Sequence, residues 1–164
     1  ILRNSFSCLP NLAQGSQTGV IVVTMTSGAA SIKRIHIASN VIDFGVAQKG
    51  KVMPGIGLYG QIDDVIEKNI ITNSPGPGIQ LGNVFEKSVS CEEVSNLISG
   101  RLIGARILDN QINSPNMGRN IGGMGAAIYA RGARDNLIAR NRITGKLHTS
   151  RFIQDSGAQR NILK

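Results

Sequence analysis

The chain has 164 residues, with 20 glycines, two tyrosines, four phenylalanines and no tryptophan, so a single domain filled by aliphatic rather than aromatic side chains is expected. Its formal charge of +8, from 18 basic and 10 acidic residues, suits a polyanionic partner or simple solubility, and the spread of the basic residues along the chain argues against nucleic acid. No stretch approaches the ~20 apolar residues of a membrane-spanning helix, no secretion signal is visible, and two thiols without a C-x-x-C spacing, Cys8 and Cys91, make neither a metal site nor a disulfide framework. Those two could pair or remain buried free thiols.

In chain order, LRNSF (2–6) places an asparagine two residues before a large apolar residue, and IHIASNVI (35–42) restates this as I-x-x-N-x-I. Next comes GIGLYGQIDDVIEKNIITN (55–73), whose first six residues have the G-x-G-x-x-G spacing of a dinucleotide loop. Such a loop requires a following helix and an acidic residue about 20 positions further on. Here β-branched NIITN and then SPGPG close the segment, and GIQLGN (78–83) contains no acid. Gly55 and Gly60 are therefore read as brackets around a strand. The longest excursion follows, LGNVFEKSVSCEEVSNLISGR (81–101), expected as a loop insertion at about 82–100 whose Phe85, Val89, Val94 and Leu97 would line a short helix or hairpin. RILDNQI (106–112) restores the motif. AIYARGARDNLIARNRI (127–143) aligns without a gap on residues 55–71, setting Gly132 on Gly60, Asp135 on Asp63, Ile138 on Ile66 and Asn141 on Asn69. FIQDSGAQRNILK (152–164) is a further copy, with Gly157 on Gly132 and Leu163 on Ile138.

The recurring asparagines are Asn4, Asn40, Asn69, Asn110 and Asn141, spaced by 36, 29, 41 and 31 residues. Internal repeats with periods in this range signal a solenoid. The apolar pairs Ile56/Leu58, Ile79/Leu81 and Ile128/Ala130 alternate at period two, which means strands. The pattern G-I-x-L followed by I-x-x-N-x-I resembles the repeat of the pectate-lyase-like superfamily, and the likeness runs over nearly the whole chain. It implies an all-β fold, a right-handed single-stranded parallel β-helix of about five rungs forming one domain over 1–164, with both ends interrupting a rung. Ile56, Ile79, Ile128 and Ile153 would begin the first strand of a rung; Ile66, Ile107 and Ile138 would lie on the second; Ile42, Ile71, Ile112 and Ile143 on the third. Rungs about 4.8 Å apart would stack these into columns. The asparagines, at a turn, would tolerate left-handed backbone and form an amide ladder.

Enzymes of that superfamily carry their site on the outer face of the first sheet. Alternation places Gly57, Gln80, Tyr129 and Gln154 in one outward row, and Tyr59, Gly82, Arg131 and Ser156 in the next. On this resemblance Tyr129 and Arg131 are the catalytic candidates for a lyase or epimerase, with Arg131 able to clamp a carboxylate or sulfate. Tyr59, Gln80, Gln154, Arg134 and Lys68 are the substrate-binding candidates. The outward rows hold no Asp or Glu, so the carboxylate pair of a glycoside hydrolase is missing there. Asp63 and Asp64 align with Asp135–Asn136 and Arg160–Asn161 and read as a turn. Asp155 falls on the inward column of Leu58 and Ala130, and His36 and His148 stand on separate rungs. No metal ligand set is visible, and Ca²⁺ rests on the resemblance alone.

Two functions follow as expectations. One is a carbohydrate-active or carbohydrate-binding protein working on an acidic polysaccharide, as lyase, epimerase or hydrolase. The other is a non-catalytic module of a phage tailspike, adhesin or other surface structure. Both imply an extracellular, periplasmic or virion-surface location. Open solenoid ends need caps, expected here from remaining rungs of a larger chain or from partners in a homotrimer.

Overall fold

A computed structural model describes residues 1–7, 20–24, 34–45, 54–59, 63–82, 104–114, 126–131, 135–145, 152–154, 160 and 162–164. The described residues form fifteen short strands and no helix. They make three five-stranded sheets. The first contains β2 (Ile21–Thr24), β5 (Ile56–Tyr59), β8 (Ile79–Gly82), β11 (Ile128–Arg131) and β14 (Phe152–Gln154). The second contains β3 (His36–Ala38), β6 (Val65–Glu67), β9 (Arg106–Leu108), β12 (Leu137–Ala139) and β15 (Ile162–Leu163). The third contains β1 (Ser5–Ser7), β4 (Val41–Asp43), β7 (Ile70–Thr72), β10 (Gln111–Asn113) and β13 (Arg142–Thr144). The chain visits the sheets in rotation, and each strand pairs in parallel with the strand three places on. This all-β stacking is compatible with a solenoid. One circuit through the three sheets is called a level below.

Strands of three or four residues can turn only one or two side chains inward, so each level contributes few, and the core is built by stacking like on like. Ile21, Ile56, Ile79 and Ile128 are in register on the first sheet, as are Ile37, Ile66, Ile107 and Ile138 on the second. Phe6, Ile42, Ile71, Ile112 and Ile143 line the third. Most of these are fully buried and form one cluster. Branched aliphatics suit a pleated surface packed on equivalent neighbours.

One expected column needs correction. β14 pairs Phe152 with Ile128, Ile153 with Tyr129 and Gln154 with Ala130. The column headed by Ile56 therefore continues to Phe152, not Ile153, and Gln154 stands in the Leu58–Leu81–Ala130 column where Asp155 was expected. A slip of one residue exchanges the two faces of a strand. The register sets Phe152 in line with four isoleucines, Ile21, Ile56, Ile79 and Ile128. Asp155, Cys8, Cys91, His148, and the expected insertion beyond Gly82 lie outside the described residues.

The corners explain how so short a strand can be followed by a bend. Apart from Gly45, the positive φ values fall in three columns. Arg34, Asp63, Gly104, Asp135 and Arg160 precede the second sheet; Arg3, Ser39, Lys68, Asp109 and Arg140 separate the second from the third; Asn73, Ser114 and Gly145 follow the third. A left-handed residue with a side chain costs about 1–2 kcal/mol. Interlevel bonds offset that cost. In the middle column each N–H donates to a carbonyl of the next level: Arg3 to Ala38, Ser39 to Glu67, Lys68 to Leu108, Asp109 to Ala139 and Arg140 to Lys164, all at 3.1–3.2 Å. The expected left-handed asparagines are thus displaced by one position, because the residue before each ladder asparagine takes that conformation.

The asparagines themselves are free to bond along the stack. The Nδ2 of Asn4 donates to Asn40 Oδ1 at 3.0 Å, Asn40 to Asn69 at 2.9 Å, Asn69 to Asn110 at 2.9 Å and Asn110 to Asn141 at 2.9 Å. Each donor residue's backbone N–H reaches the same oxygen at 3.0 Å. The second Nδ2 proton of Asn69 and of Asn110 goes to the carbonyls of Ile37 and Ile66. Asn40, Asn69 and Asn110 are fully buried, and Asn69 and Asn110 have every amide donor and acceptor used, as burial requires.

Candidate functional site

The outer face of the first sheet is the first place to look. Ile56, Leu58, Ile79, Leu81, Ile128 and Ala130 belong to the central cluster, and Tyr129 does not, which agrees with alternation. Yet the outward row is covered: Gly57 is buried, Gln80 is 1% exposed and Tyr129 6%. Gln80 and Tyr129 sit side by side on adjacent strands. The Nε2 of Gln80 has no hydrogen-bond partner. Tyr59 pairs with Thr24 and Arg131 with Gly82 in the ladder. Gln154 is on the other column, and Arg134 lies outside the described residues. Lys68 is at the corner between the second and third sheets, so the topology does not bring it to Tyr129. Tyr59, Gln80, Tyr129, Arg131 and Gln154 thus belong to strands of the first sheet, and Lys68 to the corner between the other two.

Among the described residues no three His, Cys, Asp or Glu converge as a metal site. No helix among them is long and apolar enough to cross a membrane.

A buried acid lies within the pair that reads as a turn. Asp63 takes the left-handed corner conformation, and Asp64 beside it is 1% exposed. Asp64 Oδ1 accepts the N–H of Ile35 at 2.9 Å, and Oδ2 has no partner. In the same column two levels on, Asn136 Oδ1 accepts the N–H of Ala105 at 2.8 Å, so a neutral amide fills the same place. Burial pushes the Asp64 carboxyl up to about 6; the Ile35 N–H pulls it down, and the neighbouring Asp63 charge pushes it further up. Because the folded value lies above the ordinary 3.8, this group's stabilising contribution is complete below about pH 4 and is lost as pH rises through about 6. Asp64→Asn should raise stability at pH 8 by roughly 1–2 kcal/mol, less than the full shift because solvent near the corner screens part of the charge. Urea unfolding at pH 5 and pH 8 checks this. The wild type should gain on acidification relative to the variant, and an equal difference at both pH values would refute it.

The exposed region with the strongest chemistry is the corner between the second and third sheets. Arg3, Ser39, Lys68 and Arg140 are exposed there, and Asp109 is half-buried. Asp109 Oδ1 and Oδ2 accept Nε and Nη2 of Arg140, each at 2.7 Å. That hydrogen-bonded guanidinium holds the Asp109 carboxyl below its usual range, with a smaller effect from Lys68. Arg142 is exposed one step along the third sheet, and Arg106 is exposed on the second. Among the described residues the ion pairs are Arg140–Asp109, Arg160–Asp135 and His36–Glu67, which leaves Arg3, Lys68, Arg106 and Arg142 on these two sheets as cations not neutralised by a carboxylate. The sequence concealed this ridge because its members are 29 to 41 residues apart and of four different types. Only the asparagine following each could have located them.

No family model matches the chain, and no curated protein or solved structure shows significant similarity to it.

Proposed function

We propose that the chain is a right-handed, single-stranded parallel β-helix of the pectate-lyase-like kind, and that it binds an acidic polysaccharide without cleaving it. The observation that carries this reading is the exposed set of unneutralised cations, Arg3 and Lys68 at the corner and Arg106 and Arg142 on the strands beside it. Cations clustered in this way attract a polyanion from solution and hold it by charge-assisted hydrogen bonds. Burial of Gln80 and Tyr129 supports binding over turnover, because the row where a lyase or epimerase would do its chemistry is closed. Catalysis by Tyr129 would require that row to open. A polymer of this class places the protein outside the cell, in a periplasm or on a virion surface.

The test is affinity electrophoresis through pectate, alginate and hyaluronan, with dextran as the neutral control, alongside assays for unsaturated uronates and new reducing ends. Retardation by the acidic polymers that weakens with salt, without bond cleavage, is expected. Equal mobility in acidic and neutral gels would overturn the binding reading, and release of unsaturated uronate would replace it with the lyase reading.

A further inference from the structure

The corner ridge carries an order of charge as well as a sum. Level by level it reads Arg3, Ser39, Lys68, Asp109, Arg140: cation, neutral, cation, anion, cation. The interlevel N–H bonds of these same residues fix their vertical spacing. Adjacent parallel strands lie about 4.8 Å apart, so the cations recur at about 9.6 Å, on every second level. Resting on the function proposed above, we infer that this ridge selects an extended glycan with one anionic group on every second sugar, and discriminates against one with a charge on each.

The chemistry of the intervening positions carries the selection. A pyranose in an extended chain is about as long as one level is tall. A uronate or sulfated sugar opposite Arg3, Lys68 or Arg140 meets a cation. The sugar between meets Ser39, which can donate or accept, or Asp109, which when ionised only accepts. Neutral sugar hydroxyls can donate to Asp109, whereas a second carboxylate there would be repelled. The Asp109–Arg140 pair leaves a role for both partners. The pair occupies Nε and Nη2 of the guanidinium, so Nη1 is open to the ligand, and it keeps Asp109 ionised. Beside the ridge, Val41 and Ile70 are neighbours on the third sheet and among the few exposed large apolar residues, at 40% and 38%. They offer an aliphatic surface to the C–H face of a sugar ring. Arg142, in the same row, adds a cation at the far end.

The test uses the full chain and three oligosaccharides of equal length: a hyaluronan oligomer (alternating charge), an oligogalacturonate (charge on every sugar) and a dextran oligomer (no charge), by titration calorimetry. The alternating oligomer should bind about tenfold or more tighter than the fully charged one, the scale of one additional charge-assisted hydrogen bond and one repulsion avoided. Lys68→Asn and Arg3→Asn remove the cations with a residue that tolerates left-handed backbone, so melting should be nearly unchanged while affinity for the alternating oligomer falls several-fold. Asp109→Asn should narrow the preference between the two acidic oligomers. If the alternating oligomer binds and the ridge variants bind it equally well, this inference fails and the broader reading stands. A preference for the fully charged oligomer also defeats it. If no acidic oligomer binds, both fail.

Discussion

Asn69→Leu should prevent the chain from holding its native state at room temperature. Asn69 accepts two bonds from Asn40 and donates to Ile37 O and Asn110 Oδ1. An isosteric apolar side chain strands the Asn40 backbone N–H and one Asn40 amide proton, both buried, and removes a donor from Asn110 Oδ1. Each orphaned donor costs about 1–3 kcal/mol and the lost bond to Asn110 about 1, so the loss, roughly 3–7 kcal/mol, is comparable with the whole stability of a small domain. Asn4→Leu is the control. Asn4 lies exposed at the first level, and only its own donors join the ladder, so that substitution should shift the urea midpoint slightly. Equal midpoints for the two variants would show that the ladder carries no stability.

Gly78→Ala should destabilise the chain through a clash inside the stack. A Cβ at Gly78 would meet Ile112 Cγ2 at 2.5 Å and two more Ile112 carbons at 3.1 Å. Ile112 is fully buried and has no room to retreat, and overpacking of this kind costs about 1–3 kcal/mol. The same column holds Gly55 above and Ala127 below, so a side chain is admitted one level on, where the facing Ile143 is less buried. Thermal melts of a double-mutant cycle separate the clash from propensity. Ile112→Ala alone leaves a cavity costing about 2–5 kcal/mol, and adding Gly78→Ala to it should cost almost nothing further. A full, additive penalty in the Ile112→Ala background would mean that the close approach is not the cause.

What could be read from the residues, and what could not, divides along physical lines. The isoleucine columns and the ladder were legible because a core built one side chain per level forces the same residue into the same place, whatever loop length separates the copies. The left-handed corners were not. Ser39, Lys68, Asp109 and Arg140 share a backbone conformation and no side-chain type, since interlevel N–H bonds stabilise the position without reference to the side chain. Alternation assigned Gln80 and Tyr129 to the outward face, but alternation tells which way a side chain points and not what lies over it. The slip at Phe152 has a similar origin: counting from Gly157 assumes a loop of constant length, while pairing obeys the backbone. Asp64 hid behind its neighbour because Asp63–Asp64 reads as one polar turn, although one residue faces water and the next faces the stack.

Hydrogen–deuterium exchange of the asparagine groups, followed residue by residue by NMR, tests the stacking most directly. The backbone N–H and Nδ2 protons of Asn40, Asn69 and Asn110 should exchange only with global unfolding, with Asn4 markedly faster. Exchange of the Asn69 and Asn110 amides at rates typical of an unstructured peptide would contradict a continuous ladder and, with it, the ordered ridge of charge that depends on the same levels.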